Sequence, residues 1–99
     1  MRLTAEQRRA IVEETARCFG PDARVRLFGS RTNDEVRGGD IDLHVEAEGT
    51  PGDLLDRELK LYARLIRRLG ERRIDIVVQR RGTAPRAIDE EARRGGVVL

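Results

Sequence analysis

Residues 40–46, which read DIDLHVE, constrain the fold of this 99-residue chain more than any other segment. Apolar and polar residues alternate strictly along them, which predicts a β-strand with one face in a hydrophobic core and one polar face. The apolar face carries Ile41, Leu43 and Val45. The polar face carries four ionisable residues, Asp40, Asp42, His44 and Glu46. We interpret His44 and Glu46 as solvent-facing residues of this strand, without a catalytic role.

Two helices are marked by their capping residues. Thr4 and Gln7 have the spacing of a capping box, which predicts a first helix that ends at Gly20. A Thr-Pro pair at residues 50–51 provides an N-cap and a favoured first residue for a second helix, which ends at Gly70.

The apolar residues of these helices recur at intervals that predict one buried face on each. In the first helix this face comprises Ile11, Val12, Ala16 and Phe19. In the second helix a 4-3-4-3 spacing predicts an apolar seam of Leu55, Leu59, Tyr62, Ile66 and Leu69. This seam would suit a dimer interface as readily as the core.

Two further segments have β-strand character, residues 23–28 and residues 72–79, and residues 83–94 are predicted to form a last short helix. The apolar tail at residues 97–99 is either an edge strand or a segment packed on the core. Strands interleaved with helices predict an α/β or α+β fold, with a small mixed sheet flanked by helices. Because no repeat or linker divides the chain, we expect residues 1–99 to form a single domain.

Composition limits the classes of partner and compartment. The net charge of +2 gives little support for a nucleic-acid-binding surface. No apolar run reaches the length of a membrane span, and the first twenty residues lack the core of a signal peptide. Cys18 is the only cysteine, so it cannot form an internal disulfide, which fits a reducing compartment. We therefore expect a soluble cytoplasmic protein.

Three aspartates occur in predicted strands. Asp40 and Asp42 are two residues apart, so their side chains project to the same face, roughly 6.5–7 Å apart along the backbone. Asp75 lies between Ile74 and Ile76, on the opposite face from them. If both strands are neighbours and turn their apolar faces to the core, the three carboxylates share one surface.

Carboxylates at such a surface repel one another unless a cation neutralises them. Oxygen ligands favour hard ions such as Mg²⁺, which takes its remaining ligands from water and substrate phosphates. Two such ions about 3.5–4 Å apart suit nucleotidyl transfer. We therefore predict Asp40, Asp42 and Asp75 as metal ligands, where edge protection or a simple ion pair would be the alternative use of these acids.

A Gly-Ser turn precedes the aspartate strand and suits a phosphate group. Gly29 lets a phosphate approach the backbone closely, and Ser30 offers a hydroxyl and an N–H. If residues 30–35 begin a helix, its N-terminus also favours anions. Arg31 and Arg37 are predicted phosphate contacts. Each motif is common alone, and only their combination indicates a nucleotide site.

Three motifs, LFGSR at 27–31, DIDLHV at 40–45 and RIDIVV at 73–78, resemble the DNA polymerase β-type nucleotidyltransferase superfamily, specifically its minimal nucleotidyltransferases. The resemblance implies metal-binding and catalytic roles for Asp40, Asp42 and Asp75, with activation of the acceptor hydroxyl falling to Asp75. It implies nucleotide binding by Gly29, Ser30 and Arg31.

The chain departs from the pattern of these relatives at two places. Residues 32–34, Thr-Asn-Asp, stand where relatives often have small residues and another glycine. His44 stands where relatives commonly have an apolar residue.

The resemblance also implies an activity and a partner. The activity is a Mg²⁺-dependent transfer of a nucleoside monophosphate, AMP from ATP, to a hydroxyl group. The implied acceptor is a tyrosine on a helical HEPN-type toxin, which the chain would neutralise as an antitoxin by adenylylation. The alternatives are a binding subunit that neutralises a partner by contact alone and, less favoured by the near-neutral charge, modification of RNA ends.

Overall fold

The computed structural model describes residues 3–28 and 40–99. They form three helices and four strands, in the order α1 (Ala5–Phe19), β1 (Arg24–Leu27), β2 (Ile41–Ala47), α2 (Pro51–Leu69), β3 (Ile74–Arg80), α3 (Ala87–Gly95) and β4 (Val97–Val98).

The four strands form one mixed sheet in the order β3-β2-β1-β4. β2 and β3 are parallel because α2 carries the chain across the sheet between them, while β1 pairs antiparallel with both β2 and β4. The predicted small mixed sheet flanked by helices is confirmed. The C-terminal tail forms the edge strand β4, the first of the two alternatives considered for it.

The hydrophobic core lies between one face of this sheet and the helices α1 and α2. The apolar face predicted for residues 40–46 is confirmed, since Ile41, Leu43 and Val45 are buried against these helices. Ile11 and Phe19 from α1 complete the same core. The other face of the sheet is polar and is covered in part by α3, which carries side chains that contact it.

The capping residues act as predicted. The Thr4 hydroxyl accepts from the Gln7 N–H at 3.0 Å, and the Gln7 side chain accepts from the Thr4 N–H at 2.9 Å. At the start of α2 the Thr50 hydroxyl accepts from the Asp53 N–H at 3.1 Å. The last helix begins at Ala87, later than predicted, because residues 81–86 form a turn and the chain that leads into it.

The predicted apolar faces of the two long helices are partly wrong. On α2 the core receives Leu54, Leu61 and Leu65, whereas three residues of the predicted seam, Leu55, Leu59 and Tyr62, are exposed. On α1 the predicted residues Val12 and Ala16 are exposed. α2 has two apolar rows about a quarter-turn apart, each with helical spacing, and the position of the sheet determines which one is buried.

Candidate active site

The strand register places two of the predicted aspartates side by side. Asp42 in β2 is the direct partner of Asp75 in the parallel strand β3. Adjacent strands lie about 4.8 Å apart, and paired residues project to the same face. That face is the polar one, opposite the core. Asp40 precedes β2 by one residue and lies at the same end of the sheet.

The surroundings of the three aspartates differ. Asp42 is buried at 7% exposure, and Asp40 is half-buried. The side chain of Asp75 is 49% exposed and pairs with Arg73, whose Nε lies 3.3 Å from Oδ2. Within residues 3–28 and 40–99, no three side chains among His, Cys, Asp and Glu lie close enough together to hold one metal ion. Asp42 and Asp75 lie on one face and Asp40 lies at the same end of the sheet, but the three carboxylates do not converge on a common point.

The donor set nevertheless fits a hard divalent cation. All three candidate groups are carboxylates, the ligands that Mg²⁺ prefers, and the register allows those of Asp42 and Asp75 to approach one ion. The ion pair between Arg73 and Asp75 is exposed on both sides, so giving it up costs at most about 1 kcal/mol. A rotation of the Asp75 side chain towards Asp42 is therefore inexpensive.

The predicted phosphate-binding residues, Gly29, Ser30, Arg31 and Arg37, lie outside the described residues. Phe28 and Asp40, which flank this segment, lie at the end of the sheet that carries Asp42 and Asp75. The Phe28 N–H donates to the carbonyl oxygen of Asp42 at 3.1 Å, and Asp40 leads directly into β2. Phe28 therefore lies beside Asp42 at this end of the sheet.

His44 is fully buried, so its prediction as a solvent-facing residue is wrong. Its Nε2 lies 2.8 Å from Oδ1 of Asp89, a residue of α3 that is also fully buried. The strand pattern identified the polar face correctly, but it could not show that a later helix covers that face.

Asp89 is the centre of this buried contact. It accepts hydrogen bonds from the backbone N–H of Arg86 at 2.8 Å and from Arg86 Nε and Nη2 at 2.9 and 3.1 Å. Burial alone would raise the pKa of Asp89, but the hydrogen bonds from Arg86 and His44 outweigh it and hold the pKa well below its usual range. Because an ionised carboxylate only accepts, His44 Nε2 carries the proton of their hydrogen bond.

Further polar contacts fix α3 on the sheet. Arg93 Nη2 donates to Gln79 Oε1 at 2.9 Å and lies 3.2 Å from Glu46 Oε1. Glu46 also pairs with Arg26 of β1, so it is not the solvated side chain that was predicted. Burial acts to raise the pKa of Glu46, but hydrogen bonding and charge from Arg26 lower it overall.

Sequence reasoning missed three residues of this network: Arg86, which precedes α3, and Asp89 and Arg93 within it. Position 86 carries no capping signal, because an arginine side chain has no acceptor for the first N–H groups of a helix. Nothing in the sequence indicated that Asp89 would meet His44, which is 45 residues distant.

Residues 8–95 match the family model described as a nucleotidyltransferase domain. A search of curated proteins gives no match. None of the helices in the described part of the chain has both the length and the apolar character of a membrane span.

Proposed function

Since this chain belongs to the nucleotidyltransferase domain family, we propose that it is a Mg²⁺-dependent enzyme that transfers AMP from ATP to a hydroxyl group on a partner protein. The observation that carries this proposal is the register of β2 and β3, which sets Asp42 beside Asp75 on the face of the sheet opposite the hydrophobic core. Nucleotidyl transfer in general follows from the family; the nucleotide, metal and acceptor are the proposal.

In this proposal Asp40 and Asp42 hold the metal together with Asp75. Bound Mg²⁺ would supply the positive charge that offsets the carboxylates and the triphosphate. Asp75 accepts the proton of the acceptor hydroxyl, the hydroxyl oxygen bonds to the α-phosphorus, and the bond from that phosphorus to the departing oxygen breaks. The products are the nucleotidylated acceptor, pyrophosphate and the proton, which Asp75 then releases to water, so atoms and charge balance.

The side-chain environments suit these separate roles. Asp42, which is buried, is held in place by its strand and suits a fixed ligand. Asp75 is half-exposed and its contact with Arg73 is weak, so it can turn between the metal and an incoming hydroxyl. The Gly29-Ser30 turn and Arg31 are proposed to bind the triphosphate, as the family resemblance implies.

We propose that the acceptor is a hydroxyl on a helical protein, in line with the resemblance to minimal nucleotidyltransferases and their HEPN-type toxin partners. The chain would then act in the cytoplasm as an antitoxin. The alternative function, neutralisation by contact alone, gives no role to the pairing of Asp42 with Asp75 on neighbouring strands.

The test is transfer of label from ATP labelled at the α-phosphate, in Mg²⁺, to the protein encoded by the neighbouring gene or to a protein captured with this chain. Asp42→Asn and Asp75→Asn should each reduce labelling by at least about 100-fold, the loss typical of removing a group that stabilises the transition state. Asp56→Asn, an exposed aspartate of α2, is the matched control and should label like wild type.

The same variants distinguish the alternative. If the chain acts by contact alone, Asp42→Asn should neutralise the partner as well as wild type does. Label that persists in Asp42→Asn would contradict the assignment of this residue.

A further inference from the structure

The apolar seam predicted on α2 has a spacing that the hydrophobic core does not use. Its five residues recur at intervals of four, three, four and three positions, the heptad spacing of a helix that packs against another helix. The core takes a different row of leucines from α2. In the seam Leu55, Leu59 and Tyr62 are 55%, 60% and 45% exposed, and Ile66 and Leu69 are only partly buried. The seam therefore remains accessible to a second helix.

The seam faces sideways, over the outer edge of β3. At about 100° per residue it lies about a quarter-turn from the row that enters the core, so it points along the sheet rather than away from it. The groove on this side of α2 encloses about 220 Å³, and its lining includes Leu55 and Glu58 of α2 and Val78 and Arg80 of β3. In the sheet formed by the described residues, β3 is an edge strand. A molecule that packs on the seam therefore also meets the edge of β3.

This edge of β3 is open over its first half. Residues of odd number turn their backbone groups to β2, as the bond between the Arg73 carbonyl and β2 shows, so residues of even number turn theirs outward. The outward carbonyl of Val78 accepts from Arg86 Nη2 at 2.9 Å. Within the part of the chain that the structure describes, no strand pairs with Ile74 and Ile76 on this side. Proteins normally cover or block an edge with such apolar β-branched residues.

The charges of α2 are divided between its two halves. Residues 51–58 have three acidic side chains and one basic one, whereas residues 59–69 have four basic side chains and no acidic one. Asp56 and Glu58 flank the seam at the neighbouring heptad positions. An antiparallel second copy of α2 would place them beside the half of its helix that has no acid. A parallel copy would set like halves side by side, and an acidic helix or a nucleic acid would be repelled by Asp56 and Glu58.

We propose that two copies of this chain associate by antiparallel packing of their α2 seams, with Leu59 against Tyr62 of the other copy and Leu55 against its Ile66. The two-fold axis of such a pair is perpendicular to both helices and passes between them. Both sheets then lie on the same side of the helix pair, and their β3 edges face each other. A separate helix would cover the seam alone, whereas a second copy brings a seam and an edge together.

The area of this contact is sufficient for a specific dimer. From the exposed fractions of the seam residues and the adjoining edge of β3, pairing buries roughly 500 Å² on each copy, or about 1,000 Å² in all, the lower limit for a specific interface. Asp42 and Asp75 project from the face of the sheet opposite α2. The two candidate active sites therefore stay uncovered, and the proposal does not depend on the proposed catalysis.

Sedimentation equilibrium of the full chain tests the association, over concentrations up to about 500 µM because interfaces near the lower size limit are often weak. The mass should rise with concentration from the 11.2 kDa of one chain towards twice that value. Leu59→Ser should weaken the dimer at least about tenfold, because it removes a central apolar contact of the seam. Val97→Ser is the matched control and should dimerise like wild type, since Val97 is 51% exposed on β4, at the other edge of the sheet.

Disulfide cross-linking tests the antiparallel orientation. In a Cys18→Ala background, the double variant Leu55→Cys/Ile66→Cys should form a covalent dimer on oxidation, because each introduced thiol meets the other thiol on the second copy. Leu55→Cys alone should form none, since antiparallel helices separate the two copies of position 55 by about 16 Å along the axis, at 1.5 Å per residue.

The proposal is overturned if the chain stays a monomer over the whole concentration range, or if Leu59→Ser dimerises as tightly as wild type. It is also overturned if Val97→Ser dissociates the dimer as Leu59→Ser does, which would place the interface at β4. Cross-linking by Leu55→Cys alone would contradict the antiparallel orientation. The side chains at positions 55, 59 and 97 are exposed, and circular dichroism of each variant establishes that the fold is retained.

Discussion

Asp89→Asn should destabilise the fold strongly, because it removes the charge at the centre of the contact between α3 and the sheet. In the native protein Oδ1 accepts from His44 Nε2 and Arg86 Nη2, and Oδ2 accepts from the N–H and Nε of Arg86. An asparagine would replace one oxygen with an NH₂ group. On the Oδ2 side that group would face two donors of Arg86, and on the Oδ1 side it would face Arg86 Nη2, so at least one of the four hydrogen bonds is lost together with the charge.

The size of the effect follows from burial. Removing one partner of a buried ion pair costs about 3–5 kcal/mol. The Arg86 side chain is 58% exposed, which reduces its share, whereas His44 and Asp89 are fully buried. We expect a loss of about 3 kcal/mol in the free energy of unfolding. For a domain of this size that corresponds to a fall in Tm of about 12–24 °C.

The effect should depend on pH in a defined direction. The pKa of Asp89 is lowered in the folded state, so the carboxylate stabilises the fold above its unfolded pKa of about 3.9. This stabilisation is lost as the pH falls from that value towards the folded pKa. The difference between wild type and Asp89→Asn should therefore be constant between pH 5 and 7, as far as this carboxyl determines it, and should shrink below about pH 4.

Urea denaturation followed by circular dichroism at pH 7 and pH 3.5 measures both quantities. Glu90→Gln is the matched control, since it removes a carboxylate from the neighbouring, exposed position of α3. An unfolding free energy for Asp89→Asn within 0.5 kcal/mol of the Glu90→Gln value would refute the reasoning. So would a difference that grows at low pH.

Two further predictions concern α2 and the metal. Leu61→Ala should cost about 2–5 kcal/mol because Leu61 is fully buried, whereas Leu59→Ala should change stability by less than about 0.5 kcal/mol; equal losses in urea denaturation would mean that the orientation of α2 is wrong. Millimolar Mg²⁺ should stabilise the wild type and raise its Tm. When the Mg²⁺ concentration is one hundred times Kd, the gain in unfolding free energy is about 2.7 kcal/mol, and Asp42→Asn should show no such gain. Equal stabilisation of both proteins would place the ion elsewhere.

The local structure of this chain could be predicted from its sequence because the controlling interactions are local. Strict alternation in residues 40–46 defines the two faces of β2 by backbone geometry alone. Thr4 and Thr50 cap helices through atoms three residues away. The common face of Asp42 and Asp75 could be predicted only on the condition that β2 and β3 are neighbours, and the sheet order meets that condition.

Long-range contacts decided the rest. The sequence contained two apolar rows on α2, and only the packing of α2 on the sheet determined that Leu61 is buried and Leu59 is exposed. It also contained a polar face on β2, and only the return of α3 buried His44 there against Asp89. The sequence by itself determined the secondary structure and the chemistry available on each face, because these depend on neighbours along the chain. The tertiary structure decided which faces meet, because that choice depends on the burial of all the elements together.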